Sequence, residues 1–225
     1  MTTAAELVQA AKAILLDFDG PVTALMPPPV NALAAAAARA ALNGVDLPAE
    51  VATTTDHLAV LRWTAINAPR RLAAVEDACV TKEIAAARTS KPTGGAFEFL
   101  RWCRQEDKSV VIVSNNAAEA ITTYLNRFDL TALVRGIVGR EPRRPDLLKP
   151  HPSLVLAALE LAQAEPQGAV LIGDSVTDIE VAHATRVQAV GYAKSPARGH
   201  ALEEAGADAL VSSLIGLVEP EDRPS

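Results

Sequence analysis

The sequence predicts an α/β fold, a Rossmann-like parallel sheet core with an all-helical segment inserted after its first strand. Two observations carry this. Beyond residue 90, short apolar runs alternate with helical periods. Regular βα alternation implies parallel strands covered on both faces. Between residues 30 and 88, by contrast, helical patterns follow one another and no strand-like alternation occurs.

Residues 14–18 form an apolar run interrupted by Asp17 and followed by Asp19 and Gly20. This is the pattern of a buried strand breaking into a turn. Pro27, Pro28 and Pro29 then block regular structure. Helices are expected over 31–42, where alanine dominates and Asn43-Gly44 supplies a stop, and over 49–66 and 72–88. Lys91-Pro92-Thr93-Gly94 is a second breaker. After it, helices over 96–105, 117–128, 153–164 and 177–184 alternate with strands over 110–113, 133–138, 169–172 and 188–190. The expected domains are a core, 1–21 and 91–225, and a helical cap, 22–90. The polar tail 219–225, with two prolines and no apolar period, reads as a frayed end.

The chain has 225 residues, 49% of them hydrophobic, which suffices for a buried core. Aromatics make up only 4%, so packing should be mostly aliphatic. The net charge of -6 argues against a broad nucleic-acid or membrane-surface footprint. It leaves room for a small anionic substrate, because a bound metal sets the local field. No apolar run approaches the roughly 18 residues of a membrane span. Residues 1–13 contain Glu6 and Lys12 and do not read as a signal peptide. Cys79 and Cys103 share no ligand spacing with each other or with the four histidines, and are expected as free thiols in the cytoplasm.

Ligands of open α/β sheets bind outside the carboxyl ends of the strands. The first strand delivers Asp17 and Asp19 there, and the second delivers Ser114, Asn115 and Asn116. The strand at 169–172 delivers Gly173, Asp174, Ser175 and Asp178, and Lys149 precedes a proline nearby. Such clustered acids repel unless a divalent cation lies among them. Oxygen ligands without clustered His or Cys suit Mg²⁺. Lys149 and the Ser114 hydroxyl are then placed to hold phosphate oxygens, with Asn115 a further candidate contact. One carboxylate is free to act as a nucleophile, and the second of the Asp-x-Asp pair can move a proton.

Asp17-Phe18-Asp19-Gly20, Ser114, Lys149-Pro150 and Gly173-Asp174-Ser175-Val176-Thr177-Asp178 together resemble the four motifs of the haloacid dehalogenase-like superfamily, in order. The resemblance covers about residues 10–20 and 90–215. A helical cap after the first motif is similar to the phosphoglycolate phosphatase-like and β-phosphoglucomutase-like branch. The resemblance implies a phosphatase acting on a small phosphorylated metabolite through an aspartyl phosphate. By it, Asp17 is the nucleophile and Asp19 the general acid/base. Ser114 and Lys149 bind the phosphoryl group, and Lys149 also steadies Asp17. Asp17, the Asp19 main-chain carbonyl and Asp174 bind Mg²⁺, with Asp178 in support. One position departs: Pro21 stands where many members carry Thr or Val.

Each residue also has an ordinary reading. Asp17 and Asp19 suit a turn, Ser114 and Asp174 suit helix N-caps, and Asp178 suits a first helical turn. A lone lysine is usually solvated. The four segments in register outweigh these readings. His57, His151, His183 and His200 form no ligand set and read as structural or surface residues. Trp63 and Trp102 read as packing residues. Arg62, Arg70 and Arg71 are the cap cations best able to meet an anionic substrate. A phosphomutase would keep the same core residues, and a catalytically silent binding protein could keep the fold. Haloacid dehalogenation fits less well, because it needs neither Asp19 nor Asp174.

Overall fold

A computed structural model describes residues 2–218. Six parallel strands form one sheet: β1 (Ala13–Leu16), β2 (Ser109–Ala117), β3 (Gly136–Arg140), β4 (Ala169–Gly173), β5 (Gln188–Tyr192) and β6 (Ala209–Val211). Their order is β3-β2-β1-β4-β5-β6. The chain winds outward in one direction from β1 and in the other from β4. The switch point of an α/β sheet, where ligands bind, therefore lies between β1 and β4. Ile172 of β4 and Ile112 of β2 both pair with Leu16, so the three central strands are in register where β1 ends.

Among the described residues, ten α-helices accompany the sheet: α1 (Ala4–Ala10), α2 (Val30–Ala40), α3 (Ala49–Thr53), α4 (His57–Asn67), α5 (Leu72–Ala87), α6 (Ala96–Gln105), α7 (Ala118–Arg127), α8 (Ser153–Ala162), α9 (Val176–Ala184) and α10 (Pro196–Glu204). β1 is buried along its whole length. Its alternate side chains serve two cores. Ile14 and Leu16 pack with residues of α1, α6 and α7. Ala13 and Leu15 pack with residues of α8 and α9. This is the α/β sandwich the alternation implied.

The helices between β1 and β2 build a third cluster, with Ala38, Leu42, Val60, Leu61, Val75 and Cys79 fully covered. Trp63 packs against it. The insertion adds no strand to the sheet, but α5 is shared: Ala86 and Ala87 at its end join the core cluster that includes α7. The chain entering the insertion and the chain leaving it meet in an isolated bridge, Thr23 with Pro92, and Thr23 also bridges back to Asp19. Pro21 fits its turn without strain on the hydrogen bonding, since the Val22 and Thr23 N–H groups both donate to the Phe18 carbonyl.

Several boundaries differ from expectation. The helix expected over 49–66 is two helices, α3 and α4. Asp56 breaks the run by capping α4, accepting from the Leu58 N–H at 2.8 Å. The strand expected over 133–138 begins later and ends on Arg140, because Thr131–Leu133 forms a 3-10 turn. β2 continues through Asn116, with a register shift against β3 between Val113 and Ala117. Helices α1 and α10 and strand β6 were not anticipated. Both cysteines are free and buried. No helix of the described residues is long and apolar enough to cross a membrane. The tail 219–225, expected to fray, lies outside the described residues.

Candidate active site

The Asp17 N–H donates to the Ile172 carbonyl at 2.8 Å, which extends the β1–β4 ladder one residue beyond Leu16. Strand periodicity then sends Asp17 and Asp19 to one side and Phe18 to the other. Phe18 is fully buried, edge-on to Tyr124 with ring centroids 5.2 Å apart. Burying such a ring stabilises the fold by about 1.5–3 kcal/mol, so it anchors the two acids it separates. Gly20 follows at φ 126°, and a Cβ there would collide with the Asp174 carboxylate. Glycine is required by both the backbone angle and the close approach.

Lys149 arrives on the connection from β3 to α8. It is only 2% exposed, against the usual solvated state of a lysine. Its ammonium donates to Asp17 Oδ1 at 2.9 Å, Asp178 Oδ1 at 2.5 Å and the Val113 carbonyl at 3.1 Å. All three N–H donors are used. Burial works against the Lys149 charge, but Asp17 and Asp178 hold its pKa above the usual ammonium value. Asn115 fixes the lysine's backbone, its Oδ1 accepting from the Lys149 N–H at 2.8 Å.

Asp178 sits in the first turn of α9, whose N-cap is Ser175. The Ser175 hydroxyl and N–H both donate to Asp178 Oδ2, at 2.7 and 3.1 Å. Both oxygens of Asp178 are thus engaged. Asp174 is not a cap; its Oδ2 lies 2.5 Å from the Lys194 ammonium. Ser114 is not a cap either. It is buried, donating to Asn116 Oδ1 at 3.0 Å.

One carboxylate oxygen each from Asp17, Asp174 and Asp178 lie within 4.8 Å of one another. The Asp19 side chain is outside this trio and accepts from the Leu25 N–H at 2.8 Å. Burial pushes the Asp17 carboxyl up to about 8; Lys149 pulls against this, while Asp178 and Asp174 push further. Burial raises Asp19 as well, against the Leu25 N–H. A divalent cation among these hard oxygen donors would restore the charge that crowding removes, so the residues present fit Mg²⁺.

A cleft of about 430 Å³ opens over Asp17, Asp19, Ser114, Lys149 and Asp174. The insertion contributes His57 and Arg62 to it from α4. Arg70 and Arg71, expected alongside Arg62, do not line it. They lie on an exposed 3-10 turn, where Arg71 reaches the Asn43 carbonyl at 3.2 Å.

His57 is buried, not a surface residue, and belongs to a second charge cluster that the sequence did not reveal. Its Nε2 lies 2.8 Å from Glu83 Oε1. Arg140, at the end of β3, donates to Glu83 through Nη1 and Nη2 at 2.9 and 3.2 Å, and to Glu76 through Nε at 2.7 Å. The Ala117 N–H also donates to Glu83, at 2.8 Å. One signal was available: Glu76 and Glu83 are seven residues apart on a helix and share a face with Cys79. Acids on an apolar helix face require a buried cation.

The family profile described as haloacid dehalogenase-like hydrolase matches residues 11–185. A phosphoglycolate phosphatase from Pseudomonas putida is 25% identical over 126 residues, 55% of this chain and 45% of that protein. The chain spans about half the length of the curated relatives it matches. Among solved structures, CbbY from Rhodobacter sphaeroides in complex with phosphate superposes with a TM-score of 0.70 at 19% identity, covering 92% of this chain and 96% of that one. A hydrolase from Pseudomonas syringae superposes with a TM-score of 0.68 at 21% identity, covering 92% and 95%. At 92% coverage the two structural likenesses take in the inserted helices as well as the sheet, and they are likenesses of fold. The profile, which starts before Asp17 and runs past Asp178, shows that the chain belongs to the haloacid dehalogenase-like hydrolases.

Proposed function

We propose that this chain is a magnesium-dependent phosphatase that attacks a phosphate monoester with Asp17. The observation that carries the proposal is the Lys149 ammonium shared between Asp17 and Asp178 at the switch point of the sheet. It leaves Asp17 oriented at the cleft, with Ser114 and Asp174 beside it. The names of the curated relatives, phosphoglycolate phosphatases, support the ester class.

Lys149 and the Ser114 hydroxyl hold non-bridging phosphate oxygens. An Asp17 carboxylate oxygen attacks phosphorus, and the bond to the ester oxygen breaks. Asp19, whose carboxyl burial pushes above the usual aspartate value, donates a proton to the leaving oxygen. Asp19, now ionised, takes a proton from water. That water displaces the phosphoryl group from Asp17 and releases phosphate. Asp17, Asp174 and the Asp19 main-chain carbonyl would hold Mg²⁺, with Asp178 in support; when bound it supplies charge neutralisation to the phosphoryl group. Residues 22–90 act as a cap that excludes water from the cleft and reads the leaving group.

The test is trapping with ³²P-labelled ester, followed by peptide mapping. Label is expected on the peptide containing Asp17, dependent on Mg²⁺ and absent in Asp17→Asn. Asp19→Asn should slow turnover by about 10²–10⁴-fold. Label on Ser114, or undiminished turnover in excess EDTA, would overturn the mechanism.

A further inference from the structure

Resting on the phosphatase reading above, we infer that the substrate is a phosphate monoester of an apolar alcohol, whose hydrocarbon part occupies a side cleft off the catalytic one. The side cleft, of about 700 Å³, lies between α4 and the connection from β3 to α8. Ala65 and Ile66 of α4 form one wall, and Pro145, Leu148 and Pro150 form the other. Arg62, Lys149 and Thr177 border both clefts. The two spaces therefore adjoin, with Lys149, the residue assigned to the phosphoryl group, on the wall they share.

Ile66 is 80% exposed and contributes nothing to the core of the insertion, which α4 serves through Val60 and Leu61. A single exposed isoleucine is ordinary. Here it shares a concave surface with four other apolar residues, next to a reactive centre, which is the usual make-up of a ligand site. The charged groups at the rim are already paired. Asp146 is forked to Arg144 at 2.8–3.1 Å, and His151 Nδ1 is bonded to the Ser153 hydroxyl at 2.9 Å. Arg62 at the junction lies 3.9 Å from Asp56 Oδ2 and Lys149 is held by Asp17 and Asp178, so each lysine and arginine of the described lining already has an acidic partner and none is spare for a second phosphate or a carboxylate. A short diacid ester would leave the side cleft to water.

The test uses the full chain with Mg²⁺. Affinities for methyl-, butyl- and hexylphosphonate are measured by calorimetry, and kcat/KM is measured for the matching alkyl phosphates and for phosphoglycolate. Each methylene buried in the cleft should improve affinity by about three- to fourfold, and hexyl should exceed methyl by at least about tenfold. Ile66→Asp, at an exposed position that tolerates the change, should collapse the hexyl-to-methyl ratio toward one. Equal affinity for the three phosphonates, or a ratio that survives Ile66→Asp, overturns the inference. So does a dimer seen in sedimentation that Ile66→Asp dissociates, because the apolar wall would then be covered by a second copy. Graded affinity without phosphate release from any ester would sink the phosphatase reading, while leaving the side cleft as the site of the apolar group.

Discussion

Two charge clusters adjoin in this molecule, and they are built on opposite terms. At the sheet edge, among the described residues, Asp17, Asp19, Asp174 and Asp178 meet Lys149 and Lys194, with Arg198 acting on Asp174 from further off. Between α5 and β3, Arg140 is fully engaged by Glu76, Glu83 and the Asn115 carbonyl, and Glu83 by Arg140, His57 and the Ala117 N–H. The second cluster is saturated. Its groups have partners with good geometry, as a buried ion pair needs if it is to persist. The first is short of positive charge and open to a cleft. Saturation marks a fastening, and deficit marks a place where something binds.

Substitutions at the centre of each cluster should separate the two most widely. Asp17→Asn removes a crowded carboxylate, so turnover should fall by several orders of magnitude while the metal-free protein melts no lower. Arg140→Met strands Glu76 and Glu83 in the interior and should cost about 3–5 kcal/mol, read as a lowered Tm or denaturant midpoint. Comparable stability losses in both variants would erase the distinction.

The pH dependence of stability should carry opposite signs. Burial opposes the Glu83 charge, but His57 and Arg140 win and hold its pKa down to about 2 from 4.5. Between those values the unfolded chain binds more protons, so this contribution is present above pH 4.5 and is lost as pH falls toward 2. Asp17 is raised from 3.8 to about 8. Over that window the folded, metal-free state holds the extra proton, so stability declines as pH rises through it. Melting in EDTA across both windows checks this. Glu83→Gln should flatten the acid limb, and Asp17→Asn or saturating Mg²⁺ should flatten the decline. A decline that persists in Asp17→Asn would show that the acid crowding is elsewhere.

The smallest effect should come from Lys194. Its ammonium is substantially exposed beside Asp174, where ion pairs contribute little. Lys194→Met should tighten Mg²⁺ binding by about two- to fivefold in calorimetry, as a competing cation is removed. Weaker binding would mean that Lys194 orients Asp174 for the metal.

The first cluster was legible in the sequence because each acid follows an apolar strand run and strand ends share one edge. The second was not. Arg140 ends β3, but the apolar run 133–138 suggested a strand that stopped short of it. A polar residue after an apolar run reads as loop. The helix break at Thr54–Asp56 was hidden because residues 49–66 contain neither Gly nor Pro, and only the Asp56 cap marks it. Helix α1 carried a Thr3–Glu6 capping box in plain view, but seven residues give too short a period to register.

Asn115 belongs to both clusters at once. Its carbonyl accepts from Arg140 Nη1 at 2.7 Å, and its side-chain oxygen accepts from the Lys149 N–H at 2.8 Å. One amide residue therefore lies in series between the helix that fastens the insertion and the lysine that is bonded to Asp17. Displacement of α5 would pull on Arg140, then on the Asn115 backbone, then on the Lys149 main chain. A continuous line of hydrogen bonds, through three residues, thus runs from the inserted helices to the Asp17 carboxylate.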